Sequence, residues 1–324
     1  MPPRVSVVLV NHNCASLVDL VFPTIAAQTH ANLEVIVTDN DSTDDSIARI
    51  RRAYPAARIV ALGCNAGFSA ALNAGIRAST GDYVLSLNFD ATLAPDFVEQ
   101  LVNALERRPD ASWAAGQLRR LTANGPIEAI DCNGHYLLPS RYVYGYDPAR
   151  PDPNAYGTGG EVFGASACAA LYRRSMLDGV ALDGEIFDED LFAYFEDVDL
   201  DWRAQWLGFK CLYVPEANGA HMRGGTGLSK RPEVAAMLLS NRILVMIKND
   251  EVRDFVHDLS PIVRRTAIDL LIHLRRLPLS IPLAFIRVLR LLPTMLRKRQ
   301  LLRRKGRPAV SPVQAFRLDT RFLG

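Results

Sequence analysis

The chain has 324 residues, 49% of them hydrophobic and 22% charged, with a formal net charge of +2. That apolar content supports a substantial core and excludes gross disorder, and the length suits one large or two modest domains. The five cysteines are scattered without a C-x-x-C pair, which excludes a zinc ribbon or redox motif and suits a reducing compartment with buried thiols.

Val5–Val10 reads as a buried strand ending in polar Asn11-His12-Asn13. No signal peptide is visible ahead of it, which gives the expectation of a cytoplasmic protein. Residues 15–28 are a helical stretch interrupted by Pro23. A second strand, Glu34–Thr38, runs into the acid-rich loop DNDSTDDS, and a helix follows from near Thr43 through Arg52. Arg58–Leu62 is a third strand and Ala66–Ala78 a third helix. Four strands alternating with helices predict parallel βαβ units and a doubly wound α/β sheet.

The fourth strand, Asp82–Leu87, stops at Asn88, with Asp90 two residues on. Pro95 then opens a helical pattern with Thr92 as its cap. An acid at the carboxyl end of a buried parallel strand sits where open α/β sheets bind ligands. A carboxylate beside an Asn suits a hard divalent cation held between protein oxygens and phosphates; an Asp in a tight turn is the alternative. No G-x-G-x-x-G follows the first strand and no G-x-x-x-x-G-K-[ST] occurs, so the common phosphate cradles are missing.

Beyond Pro109 the alternation fades. Trp113–Leu121 and Ile127–Leu138 look like β segments, and residues 145–160 form a long loop rich in Gly and Pro. Tyr194–Leu207 suits a helix stopped by Gly208. Val198, Trp202 and Trp206 share one face of it, as core packing requires. Glu196 and Asp197 fall in its first turn, where the helix dipole favours carboxylates. Asp199 and Arg203 are spaced as a supporting ion pair. Lys210–Val214 is a further strand, followed by His221 and the mobile-by-composition Gly224–Gly227.

Four blocks in this order, VSVVLVNHN, EVIVTDNDSTDDS, NAGFSAALNAGI with LSLNFDATL, and AYFEDVDLDWRAQWLGFKCLYVPEANGAHMRGG, resemble glycosyltransferase family 2. Bacterial rhamnosyltransferase-like members are the closest in look. The resemblance implies a GT-A fold over residues 1–228, with a nucleotide-binding half to about residue 110 and an acceptor-binding half from 111. It implies that Asn11 lines the nucleotide pocket, that Asp39 binds the base with Asp41 in the same loop, and that Asn65 and Gly67 border the donor. Asp90 would bind Mg²⁺ or Mn²⁺, with Asn88 in the first position of the metal motif and His221 a further metal or diphosphate contact. Asp197 of the Glu196-Asp197 pair would be the general base. Asn88 and Phe89 depart from the family's usual Asp and Pro, removing one anionic ligand.

Such an enzyme inverts the anomeric carbon in one displacement, with a cation on the leaving diphosphate and a carboxylate taking the acceptor's proton. The dipole at the start of the helix lowers the basicity of Asp197, and burial against Phe195 and Trp202 would raise it. The resemblance alone points to dTDP-rhamnose as donor and to a glycan or lipid-linked acceptor in surface polysaccharide synthesis. Two alternatives remain. One is a sugar-nucleotide pyrophosphorylase, which would want a Gly-rich basic loop after the first strand. The other is an inactive scaffold binding a glycolipid or partner protein.

The tail differs in charge. From Pro261 onward 15 Lys+Arg face two acids, Asp269 and Asp319, so it carries +13 while residues 1–260 carry −11. Pro278, Pro282 and Pro293 are expected to break residues 229–324 into short helices. Basic clusters beside Leu/Ile/Phe faces suit a helix lying on the anionic inner face of the cytoplasmic membrane. The alternative is a helical subdomain packed on the acidic catalytic part. Nucleic acid is not expected as a partner, because aromatic residues are almost absent from the tail.

Overall fold

A computed structural model describes residues 1–145, 159–222 and 231–316. Most of the Gly/Pro-rich stretch 145–160 and the Gly224–Gly227 loop lie outside the described residues. The first half alternates as its periodicity demands. β1 (Val5–Asn11), α1 (Val18–Ala26), β2 (Leu33–Asp39), α2 (Ser46–Ala53), β3 (Arg58–Ala61), α3 (Phe68–Ala78) and β4 (Tyr83–Leu87) follow one another, then β5 (Ala91–Leu93) and α4 (Phe97–Arg107). Thr92 is therefore not a helix cap. It lies in β5, paired with Ala220, and α4 starts two residues beyond Pro95.

The second half adds β6 (Trp113–Thr122), β7 (Gly125–Cys132), β8 (Tyr136–Leu137), β9 (Val143–Tyr144), β10 (Gly160–Val162) and β11 (Ala169–Arg173). Then come α5 (Arg174–Val180), α6 (Glu196–Trp206) and β12 (Cys211–His221). The ten-stranded sheet runs β10-β12-β6-β11-β4-β1-β2-β3, with β5 on β12 and β7 on β6. Strands β4, β1, β2 and β3 are mutually parallel, as are β12 and β6; β11 runs antiparallel between the two groups. Strand order reverses between β1 and β4. The carboxyl ends of those strands, which carry Asn11 and the Asn88–Asp90 turn, thus flank the crevice where doubly wound sheets bind ligands.

Alternation along β1 sends side chains to both faces of the sheet. Val5, Val7 and Leu9 pack with α1 and α4, while Val8 packs with α3, α5 and α6. Each fully buried Val or Leu stabilises the fold by about 1.5–3 kcal/mol. Four of the five cysteines are buried, and Cys64 is exposed.

The C-terminal part is helical: α7 (Pro232–Asn249), α8 (Val252–His257), α9 (Leu259–Arg276), α10 (Ser280–Lys305) and α11 (Pro312–Phe316). Pro278 does separate α9 from α10. Pro282 and Pro293 break nothing, because α10 continues through both for 26 residues. Pro282 falls in the first turn, where a missing N–H is harmless. Pro293 sits mid-helix and is exposed, so solvent can satisfy the carbonyl it leaves unbonded. Leu244, Val245, Met295 and Val313 share a core with Val198 and Trp202 of α6. The two tryptophans of α6 are core residues, 1% exposed each. No described helix is long and apolar enough to cross a membrane.

Candidate active site

The loops at the ends of β1, β2 and β3 form one polar cluster. Parallel register sets Asn11 beside Asp39. The Asn11 amide donates to Asp39 Oδ1, Ser42 Oγ and Ser46 Oγ, each at 2.9 Å. These acceptors draw Asn11 wholly inside, so it does not line an open pocket; it holds the loop that presents Asp39. Asp41 is exposed in the left-handed region at φ 69°, a conformation that Asp tolerates. Asn40 donates to Asn65 Oδ1 at 3.0 Å and accepts from the Ala66 amide at 2.9 Å, tying the third loop to the second. Asn65 and its neighbour Cys64 remain at the surface.

Gly67 serves packing. At φ 90° it would place a Cβ 2.6 Å from the Phe192 ring and 2.7 Å from its carbonyl oxygen. The absence of a side chain lets the start of α3 close on the segment that leads into α6.

Asp90 lies just past β4, and β12 runs long enough to bring His221 opposite it. His221 is thus a strand residue, paired with Ala91. Its Nε2 stands 3.3 Å from Asp90 Oδ1, and its Nδ1 2.8 Å from Asp131 Oδ2. Burial opposes a charge on His221, but Cys168, Asp131 and Asp90 around it raise its pKa well above the ordinary histidine range. Asp90 supplies the kind of carboxylate oxygen that Mg²⁺ or Mn²⁺ takes; His221 could join it only after losing its proton, with Asp131 orienting the ring. Among the described residues no group of three or more His, Cys, Asp or Glu gathers as a metal cage, so phosphate oxygens would complete the shell. Asn88 is half-buried beside Asp90, its N–H donating to the Cys168 carbonyl at 2.8 Å.

The segment Ser166–Cys168 joins this pair to α6. Ser166 Oγ and the Ala167 N–H donate to Asp197 Oδ2 at 3.3 Å, while the Cys168 side chain meets His221. Asp44, Asp90 and Asp39 all lie near enough to Cys14 for their charges to raise its pKa, so the loop after β2 and Asp90 face the same end of the sheet. Asp197 is 16% exposed and also accepts from the Val198 N–H at 2.8 Å. These donors are polar neighbours that hold its carboxylate in place.

Burial falls on Glu196 instead. That side chain is 7% exposed, and among the described residues its Oε2 has no hydrogen-bond partner. Burial, with the Asp197 charge, pushes Glu196 up to about 8. At neutral pH Glu196 is therefore a neutral carboxyl beside Asp197.

Several residues of this site escaped the sequence. His135 Nδ1 lies 2.6 Å from Asp201 Oδ2, and its Nε2 3.8 Å from Asp197 Oδ2. Asp201 is fully buried, accepts from Trp113 Nε1 at 3.0 Å, and burial, opposed by His135, raises it to about 6. Asp131, the partner of His221, was missed as well. The available signal was acids at core-facing positions: Asp131 lies in the buried last three residues of β7, and Asp201 among the buried positions of α6.

Comparison with known proteins agrees. A profile of glycosyl transferase family 2 matches residues 6–180. The N-acetylglucosaminyl-diphospho-decaprenol L-rhamnosyltransferase of Mycobacterium tuberculosis is 27% identical over 257 residues, 71% of this chain and 80% of that protein. Among solved structures, the Pyrobaculum calidifontis mannosyltransferase PcManGT in complex with GDP-Man and Mn²⁺ superposes with a TM-score of 0.56 at 19% identity, covering 94% of this chain and 86% of that one. GalNAc-T7 with UDP, GalNAc and Mn²⁺ superposes at 0.60 with 16% identity, covering 79% of this chain and 50% of that one. These likenesses bear out the GT-A fold, and with the family profile they show that the chain belongs to glycosyltransferase family 2.

Proposed function

We propose that the protein is an inverting, nucleotide-sugar-dependent glycosyltransferase that moves one sugar, with dTDP-rhamnose the first donor to try, onto a lipid-linked glycan acceptor. The observation that carries this is the placing of Asp90–His221 and of Glu196-Asp197 on either side of Ser166–Cys168, at the crevice where strand order reverses. Asp39, held by Asn11, offers its carboxylate to the base. Asp90 and His221 would hold Mg²⁺ or Mn²⁺, which would stabilise the charge of the departing diphosphate as a Lewis acid. Asp197 accepts the proton of the acceptor hydroxyl, and Ser166 and Ala167 aim its Oδ2. Glu196, neutral, is free to donate a hydrogen bond from its unpartnered oxygen. One base on the acceptor side, with its neighbour Glu196 neutral, fits single displacement with inversion. The mycobacterial relative, named for a lipid-linked acceptor, supports that acceptor class.

The tail supports work at a membrane surface. Exposed Leu270, Leu271, Ile272, Leu274, Phe285 and Ile286 alternate with arginines and few acids, as a surface lying on anionic lipid requires. A cavity of about 670 Å³ opens among α7 to α10, lined mostly by apolar side chains.

The test is single-turnover transfer from a panel of nucleotide sugars with Mn²⁺, for wild type, Asp90→Ala and Asp197→Asn. Asp90→Ala should lose turnover. Asp197→Asn should slow transfer by about 10²–10⁴-fold with donor affinity kept. Full activity of Asp90→Ala, or of the wild type in EDTA, removes the metal role; full activity of Asp197→Asn removes the base.

A further inference from the structure

The helix α6 does not hold its own beginning. Its first residue follows Tyr194 and Phe195 at φ 67° and 68°, with Phe192 at 66° shortly before. Three bulky non-glycine residues in the left-handed region are strained, and persist only where the surroundings over-determine them. No side chain caps the helix. The surroundings that impose this path come from the C-terminal helices.

Asn241 of α7 donates its amide to three backbone oxygens of the segment, those of Leu191, Ala193 and Tyr194, at 2.9, 2.9 and 2.8 Å. Arg287 of α10 donates to the Asp190 and Leu191 carbonyls at 2.6 and 3.1 Å, and to Asn241 Oδ1 at 3.1 Å, so the two side chains brace each other. Lys298, one-sided on α10 and 3% exposed, meets Glu185, Asp188 and Asp190 at 2.8, 2.7 and 2.8 Å. Lys248 of α7 joins Asp188 to Asp199 inside α6. On its other side the segment touches the donor half: the Ser69 N–H donates to the Phe192 carbonyl at 3.1 Å, beside Gly67. The segment therefore bridges the donor loop and the carboxylate pair, and its path is dictated by residues about 50 to 110 positions later.

We propose that Arg287 and Lys298 of α10, with Asn241 of α7, are positioning residues for sugar transfer, which fix residues 188–195 so that Asp197 stands at a set place relative to the donor. The inference rests on the transfer reaction proposed above. Arg287 and Lys298 act through the strained segment, whose backbone and acids they hold. A small displacement of a catalytic group by a change far from the chemistry lowers turnover by about 10²-fold.

The variants are Arg287→Met, Lys298→Met and Arg287→Lys, read by donor KM, kcat and amide hydrogen exchange over residues 188–199 of the full chain. Loss of positioning gives faster exchange in that window alone, a kcat lower by about 10²-fold and a donor KM like the wild type. Arg287→Lys keeps a donor for the carbonyls and should recover part of kcat. Arg287 is half-buried, so Arg287→Met keeps the test open should Lys298→Met fail to fold. Unchanged exchange and kcat in Arg287→Met overturn the proposal, as does a fall in kcat matched by loss of donor binding. If the wild type transfers no sugar from any donor, the function reading fails while the exchange still reads the clamp.

Discussion

In the loop 39–46 Asp39, Asp44 and Asp45 stay near the surface and meet neutral donors or an exposed arginine. Asp44 accepts from Ser46 and from the Ala15 N–H at 2.9 Å, and Asp45 pairs with Arg49 on the same helix. Asp39, Asp41 and Asp45 are not buried. In the stretch 187–201 Asp188 and Asp199 lie inside, both at most 3% exposed, and two of their three cations come from afar: Lys298 and Lys248 meet Asp188, while Lys248 and the nearby Arg203 meet Asp199. Burial opposes ionisation of Asp188, but Lys248 and Lys298 hold its pKa well below the carboxylate range. Two stretches of similar composition thus serve opposite ends. One leaves its oxygens available to a ligand, and the other spends them on fixing the backbone.

Exchanging one acid in each stretch should break this symmetry most visibly. Asp188→Ala leaves two lysines short of a buried partner and should destabilise the fold by about 3–5 kcal/mol. Asp45→Ala, at an exposed pair, should stay within about 0.5 kcal/mol. Urea denaturation of both variants measures the difference, and equal losses would erase the distinction.

The next effect is a pH slope. The folded pKa of Glu196, about 8, lies above its ordinary 4.5. The folded state then binds the extra proton between these values, so stability should fall as pH rises through that window, by up to about 1.4 kcal/mol per unit. Glu196→Gln removes the titrating group and should flatten the profile. It should also retain transfer at neutral pH, since the amide stands in for a neutral carboxyl. A variant with the wild-type slope would place the proton elsewhere.

The smallest effect concerns cations that find no acid inside. Arg275 and Arg276 are exposed at the end of α9, unlike Lys298. Their joint replacement by Ala should weaken flotation with anionic vesicles by about 1 kcal/mol per residue and leave thermal stability unchanged. Point changes are the proper probe. Removal of the whole tail would also strip Val198 and Trp202 of their packing against α7 and α10.

The parallel half was legible because its information is local. Alternating apolar residues in Val5–Asn11 and the polar stop at Asn88 need only neighbouring positions to be interpreted. The Asp199–Arg203 pair, four residues apart on one helix, was legible for the same reason, at 2.9 Å. Asn11 was placed at the right strand end but on the wrong side of the surface, since nothing local announces three oxygens around its amide. The tail was read as basic and outward, whereas Lys298 and Arg287 turn inward. Their partners lie roughly a hundred residues earlier, and a charge pattern holds no record of distant pairing. The proline reading failed from the same cause: packing of α10 on α7 outweighs the local preference to stop at Pro293. His135 and Asp201 meet only after β7 and α6 are brought together by the sheet, so no spacing rule joins them.

Cys64 gives the donor side a chemical handle. It is the exposed thiol among the five and stands next to Asn65 in the turn between β3 and α3. An electrophilic dye would attach there before it reached the buried sulfurs, since access governs thiol reactivity. Its emission would then test, without any turnover, whether a nucleotide arrives beside this turn. The same accessibility means that an oxidant meets this turn before it meets the core. Ageing in air would therefore mark this turn first, while the four buried thiols stayed protected.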